Sequence, residues 1–140
     1  MVVRVLTAAV LALTVLAAAC GADPQADVRK TLESFAGATA KKDYQEICDQ
    51  LIAKSLSDNV EEYGLPCELA FKQGLDSVRK PTLTIRSVEV DGDVAKVRVH
   101  STAANQPPSD DTLELRRSEG EWKITALARP AAETAKPKTG

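Results

Sequence analysis

Apolar residues recur along this chain with two different periods, and the change from one to the other divides it in two. A predominantly apolar stretch, 5–16, comes first. From Asp23 the spacing is helical: Val28, Leu32, Phe35 and Ala36 fall at steps of three and four, with Asp23 placed to cap, Pro24 in the first turn and Lys41-Lys42 closing the stripe after about Ala40. A second helix is predicted from Asp43, with Glu46 as its capping-box partner, through Tyr44, Ile47, Cys48, Leu51 and Ile52 to about Leu56. Residues 57–66 are polar and turn-rich, punctuated by Gly64 and Pro66. A third helical stripe runs from Cys67 through Ala70, Phe71, Gly74 and Leu75 to Val78.

After Lys80-Pro81 the period becomes two. Leu83 and Ile85, then Val88 and Val90, alternate with polar residues, and the slip in parity between them predicts a β-bulge near Arg86-Ser87. Asp91-Gly92 predicts a tight hairpin that sets Val88 opposite Ala95, Ile85 opposite Val97 and Leu83 opposite Val99. A second strand over 94–102 and a polar loop over 103–111, holding Pro107-Pro108, come next. Strands over 112–117 and 121–127, joined at Glu119-Gly120, then set Leu115 opposite Ile124, Leu113 opposite Ala126 and Arg117 opposite Trp122. From Arg129 no period remains, so 129–140 is expected to be a disordered tail. Three helices followed by a four-stranded antiparallel meander make an α+β layout over 24–128, with the helices packed on the apolar face of one curved sheet.

The N-terminal stretch changes the picture of where this domain works. Arg4 is the one charge before it, and Ala17, Ala18 and Ala19 lead directly to Cys20, which is the layout of a secretory signal over 1–19. The apolar run is shorter than the roughly 20 residues a spanning helix needs. This end resembles the lipobox of bacterial lipoproteins, in which the cysteine is diacylated and becomes the first mature residue. The lipobox prefers Leu three places before the cysteine, whereas here Ala17 stands there with Leu16 one further back. Ordinary signal cleavage after Ala19 is the alternative. The expected location is the extracytoplasmic face of the cell membrane, with residues 20–23 as the lipid-anchored link to the domain.

Cysteine arithmetic favours the lipid. An exported chain with three cysteines leaves one over when two pair. Cys48 and Cys67 sit on apolar helical stripes in a disulfide-permissive compartment, so they are expected to pair, and Cys20 is then free for acylation. There is no C-x-x-C, and a single histidine cannot complete a Cys/His zinc set, so no metal and no cofactor is expected. With 18 Lys and Arg against 20 Asp and Glu in 140 residues, and no basic run, nucleic acid is not an expected partner.

Several motifs together resemble the nuclear transport factor 2-like superfamily. They are Lys42-Asp43-Tyr44 opening the second helix, Ile47-Cys48-Asp49 within it, the hairpin from Val88-Glu89-Val90-Asp91-Gly92 to Asp93-Val94-Ala95, Leu113-Glu114-Leu115, and Gly120-Glu121-Trp122-Lys123-Ile124. More narrowly, the chain is similar to small lipoproteins of high-GC Gram-positive (actinobacterial) bacteria that carry this domain with a cysteine pair. The resemblance implies a cone-shaped α+β fold with a bulged sheet wrapped around a long helix. None of these motifs is catalytic, so they speak for architecture and not for activity.

That superfamily includes isomerases, dehydratases and polyketide cyclases, which place Asp, His or Tyr inside the cone as a general base. Here the inward positions are Leu, Val, Ile, Ala and Trp, and His100 alternates with Val97 and Val99, so it is expected to point outward with Lys96 and Arg98. Tyr44, Tyr63 and Asp49 are the groups able to reach a cavity. A binding or interaction module is therefore the expected function, with a small-molecule isomerase or cyclase-like enzyme as the alternative. Two surfaces are candidates. One is a cone cavity for a small apolar ligand between Phe35, Tyr44, Phe71 and Trp122, set against a core that is simply filled. The other is an outward basic stripe of Lys96, Arg98, His100, Arg116 and Lys123, which can meet a protein partner, a second copy of the chain or anionic headgroups, set against a merely solvated face.

Overall fold

The computed structural model describes residues 21–130, so the signal segment, Cys20 and residues 131–140 lie outside the described residues. Helix α1 (Pro24–Lys41) opens where Asp23 Oδ1 accepts from the Gln25 N–H at 3.0 Å and Pro24 takes a first-turn place that needs no N–H. It closes where Lys42 enters the left-handed region at φ 58°, and the N–H groups of Lys42 and Asp43 donate to the Thr39 and Ala38 carbonyls. Val28 and Leu32 on its inner face are fully buried.

Helix α2 starts at Tyr44–Glu46, with Asp43 Oδ1 accepting from the Glu46 N–H at 3.0 Å, and widens into a π-helical turn, Ile47–Leu51. It ends there and not near Leu56. Ile52 is extended, with φ −99° and ψ 152°, and bridges Ile124 in parallel, while the Ala53 N–H donates to the Ile124 carbonyl at 2.8 Å. The edge of the last strand holds unpaired backbone groups, and it draws these two residues out of the helix to satisfy them. The chain re-enters a helix at once as α3 (Lys54–Glu62), which occupies much of the stretch expected to be loop. Leu56 and Val60, both half-buried, are its whole apolar stripe, too brief to stand out against the polar residues around them. Helix α4 (Cys67–Leu75) buries Cys67 and Phe71, and Val78 is buried just past its end instead of within it. The fold thus has four helices among the described residues where three were expected.

The sheet is an antiparallel meander in the order β1 (Thr82–Asp91), β2 (Val94–Ala103), β3 (Gln106–Ser118), β4 (Glu121–Pro130). The expected bulge is present between Ile85 and Ser87. The first hairpin turns one residue later than expected, at Gly92 and Asp93, because Gly92 takes positive φ (58°) at the first central position of the turn. Each inward pair therefore moves by two residues: Val90 faces Ala95, Val88 faces Val97 and Ile85 faces Val99. A shift of two keeps every side chain on its face, so the core is unchanged.

The second hairpin departs further from expectation. Residues 103–111 are not a loop: Ala104 and Asn105 alone form the turn, and β3 begins at Gln106. The two prolines fit because the β2 register breaks between Ser101 and Ala103, and because β4, among the described residues, pairs back to Pro130 opposite Asp111. Among the described residues the start of β3 is thus paired on one side, where proline is tolerated. At the last hairpin Leu115 faces Ile124 and Arg117 faces Trp122 as expected, but Ala126 faces Glu114 instead of Leu113, since irregularities flank Glu114. Strand β4 also carries the ordered backbone to Pro130, two residues past the expected boundary at 128.

One apolar cluster joins these layers. Val28 and Leu32 of α1 and Ile47 of α2 meet Val97, Val99, Leu115 and Ile124 of the sheet, and Phe71 of α4 completes the group. Cys48 and Cys67 form a disulfide that ties the π-helical turn to α4 across a sequence separation of 19. Closing a loop of that length restricts the unfolded chain by about 3 kcal/mol. The double replacement Cys48→Ala with Cys67→Ala should lower the unfolding free energy by about that amount in urea titration. A loss under about 1 kcal/mol would show that packing alone holds α4 in place.

Candidate functional site

The helices do not cover the sheet completely. Between α1, α3, α4 and the ends of the strands lies a cavity of about 450 Å³, within the range of ligand-binding pockets. Phe35, Ala36 and Thr39 of α1 and Val60 of α3 form one side; Ala70, Phe71, Gly74 and Leu75 of α4 form another. The sheet contributes Leu83, Ala103 and Leu127, with a group of uncharged polar residues, Thr82, Ser101, Thr102, Gln106 and Ser109. No ionisable side chain is among the described lining residues. Thr39 Oγ1 is buried without a hydrogen-bond partner.

One wall is held by a latch. The segment after α4, which carries the lining residues Val78 and Pro81, is fastened to the β2–β3 turn by three hydrogen bonds, each 2.8 Å long. Asn105 Oδ1 accepts from the Arg79 N–H, Asn105 Nδ2 donates to the Ser77 carbonyl, and the Ala104 N–H donates to the Arg79 carbonyl. The side-chain amide of Asn105 thereby supplies backbone partners to a segment outside any ladder.

Of the four residues expected to line a cavity, Phe35 and Phe71 do so. Trp122 does not: it is 4 % exposed in the core, its Nε1 has no partner, and the Arg117 guanidinium carbon lies 5.6 Å from its ring centroid, within cation–π range. Tyr44 borders a separate cleft beside the disulfide, with Asp49, Glu61 and Glu68. Its hydroxyl is shielded and has no partner by geometry. Burial first, and the nearby Asp76 carboxylate second, hold the Tyr44 phenol above its ordinary pKa of 10.0. Tyr63 is 88 % exposed and outside both spaces.

The five residues of the outward stripe share the outer sheet face, but carboxylates interrupt them. Lys96 stands between Glu89 and Glu114 in register. His100 Nδ1 is 2.8 Å from Asp110 Oδ1, Arg116 lies 3.5 Å from Glu114, and Lys123 lies 3.0 Å from Glu121 while also donating to the Gln50 carbonyl. Arg98 sits between Ser87 and Thr112. The face is a mixed-charge lattice and not a stripe of one sign.

Gln106 and Ser109 of the cavity's polar part, with the Asn105 latch, were not foreseen because they fall where a loop was expected, over 103–111. An Asn between two strand-forming runs is the signal that was available.

No family model matches the chain, and no curated protein matches it. Its fold is nevertheless found among solved structures. An NTF-2-like protein of unknown function from Silicibacter pomeroyi DSS-3 is 20% identical with a TM-score of 0.52, covering 74% of this chain and 94% of that one. One from Shewanella baltica OS155, also of unknown function, is 15% identical with a TM-score of 0.54, covering 76% and 94%. A de novo designed NTF2-fold protein is 17% identical with a TM-score of 0.53, covering 80% and 92%. The fold is therefore nuclear transport factor 2-like, and at these identities the likeness concerns the fold alone.

Two outcomes follow from the geometry. Asn105→Ala removes two of the three latch bonds, and at about 0.5–1.5 kcal/mol each should lower stability by roughly 1–3 kcal/mol and speed amide exchange at Arg79; unchanged exchange would show the segment to be held by packing. The elevated Tyr44 phenol contributes stability that is complete below the ordinary phenol pKa of 10.0 and is lost as pH rises through the folded-state value. Tyr44→Phe should abolish that part of the alkaline loss, and an identical pH profile in wild type and variant would refute the assignment.

Proposed function

We propose that this protein is an extracytoplasmic lipoprotein, anchored through diacylated Cys20, whose nuclear transport factor 2-like domain binds a small apolar ligand in its cone. The observation that carries the binding reading is the 450 Å³ cavity: roomy, open at the strand ends and, among the described residues, without an ionisable lining side chain. An isomerase or cyclase needs a general base within hydrogen-bond reach of its substrate; none is among the described lining residues, and the carboxylate beside the rim, Asp111, is engaged by the Ser109 hydroxyl, so binding is better supported than acid–base catalysis. Apolar side chains supply affinity by removing ligand surface from water, and the rigid disulfide-tied helices keep the space formed in advance.

The anchor rests on the signal layout and on the pairing of Cys48 with Cys67, which leaves Cys20 as the odd thiol. Only Gly21, Ala22 and Asp23 separate it from α1. The cone is thus tethered to the membrane by its long helix, with little slack.

Cys20→Ala should move the protein from the membrane fraction to the soluble one, and continued membrane association with a cleaved signal would count against the lipid. Gly74 lines the cavity, and a Cβ there would meet no atom within 4 Å. Gly74→Leu should therefore fold normally by circular dichroism yet bind an uncharged fluorescent probe such as N-phenyl-1-naphthylamine at least roughly tenfold more weakly than wild type, a difference of about 1.4 kcal/mol. Equal binding by both proteins would place the probe elsewhere and sink the cavity reading.

A further inference from the structure

Resting on the binding reading above, we infer that the ligand is a neutral single-chain amphiphile, with its chain in the cavity floor and an uncharged hydroxyl or ester head at the strand-end rim. The cavity is divided by chemistry. Among the described lining residues the buried ones, Phe71 and Val78, and most of the half-buried ones, such as Phe35 and Val60, are apolar, with Thr39 and Ser101 as half-buried exceptions, whereas Thr102, Gln106 and Ser109 at the exposed strand ends are polar and uncharged, beside Pro107 and Leu127. Such a gradient suits a molecule with one apolar and one polar end. A pure hydrocarbon would leave the rim groups unused, and a molecule polar along its length would be stripped of water in the floor without partners.

The sign of the rim's surroundings selects the head. Ser109 Oγ lies 2.7 Å from Asp111 Oδ2, to which it donates, and the Asp110 carboxylate beside it is engaged with His100. Arg79 and Lys80 adjoin lining residues in sequence, but both are exposed and neither lines the cavity. An anionic head seated by Ser109 would meet the Asp111 carboxylate, and among the described residues no cation lines the cavity; two like charges a few ångströms apart near a protein surface repel appreciably. A neutral hydroxyl can instead donate to Gln106 or accept from Thr102, whose own hydroxyl is 2.6 Å from that of Thr82.

Full chain carrying Cys20→Ala, purified without detergent, is loaded with N-phenyl-1-naphthylamine and titrated with monolaurin, with 1-dodecanol and with laurate, each below its critical micelle concentration. The expected result is displacement by both neutral amphiphiles roughly tenfold more tightly than by laurate. Within an alkanol series, affinity should rise by about fourfold per added methylene until the cavity is full. The Gly74→Leu and Ala70→Leu variants, each checked for fold by circular dichroism, should lose this binding. Laurate that matches monolaurin would overturn the neutral-head inference while leaving the cavity reading standing. Probe binding that is absent from the wild type, or unchanged in both variants, would overturn the cavity reading itself and this inference with it.

Discussion

A four-stranded sheet with one apolar face must have that face covered, and the rest of the molecule is arranged around how α1 does so. Val28 and Leu32 are fully buried, as are Val97, Val99, Leu115 and Ile124 of the sheet. Burial of that kind is worth roughly 1.5–3 kcal/mol per large aliphatic side chain, more than any surface ion pair in the structure can offer. The bulge between Ile85 and Ser87 and the irregularities about Glu114 bend the strands, and a bent sheet cannot be sealed by one straight helix. The far end of the concave face is left to α3 and α4, and the space between them is the cavity.

What holds α3 and α4 at the right distance is mainly backbone and covalent. The Ile52 bridge and the Ala53 bond to Ile124 tie the chain to the edge of β4, and the disulfide ties the π-helical turn to α4. The Asn105 latch closes the remaining side by joining the end of the helical layer to the β2–β3 turn. These three ties come from different parts of the chain. The cavity is therefore an outcome of restraint at its borders, which allows it to stay open without collapsing onto its apolar lining.

Its chemistry follows from which residues border it. Strand ends carry polar residues because they meet water, and helix interiors carry apolar ones because they meet the sheet. A cavity opening at the strand ends accordingly has most of its apolar lining on the helices and most of its polar lining, Thr82, Ser101, Thr102, Gln106 and Ser109, on the strands. The outer face of the sheet, where cations alternate with Glu89, Glu114, Glu121 and Asp110, has no single sign to offer an anionic surface.

Read from the sequence alone, the periods of Val28 to Ala36 and of Leu83 to Val90 determined the α+β class, the meander, the first bulge and the inward residues, because periodicity reports which side chains share a face. The pairing of Cys48 with Cys67 was legible for the same reason, since both lie on apolar stripes. Tertiary structure decided the rest. It moved the first hairpin by two residues of register, which periodicity cannot detect because the faces are conserved. It ended α2 at Leu51, since the demand came from the edge of a strand more than seventy residues away. It made strand out of Gln106 to Asp111, where Pro107-Pro108 argued for loop, because only the assembled sheet brings this segment alongside β2. And it set Phe35 and Phe71 beside a cavity while burying Trp122, because whether an inward apolar side chain fills space or borders it depends on the gap left between layers, a distance no local pattern of residues encodes.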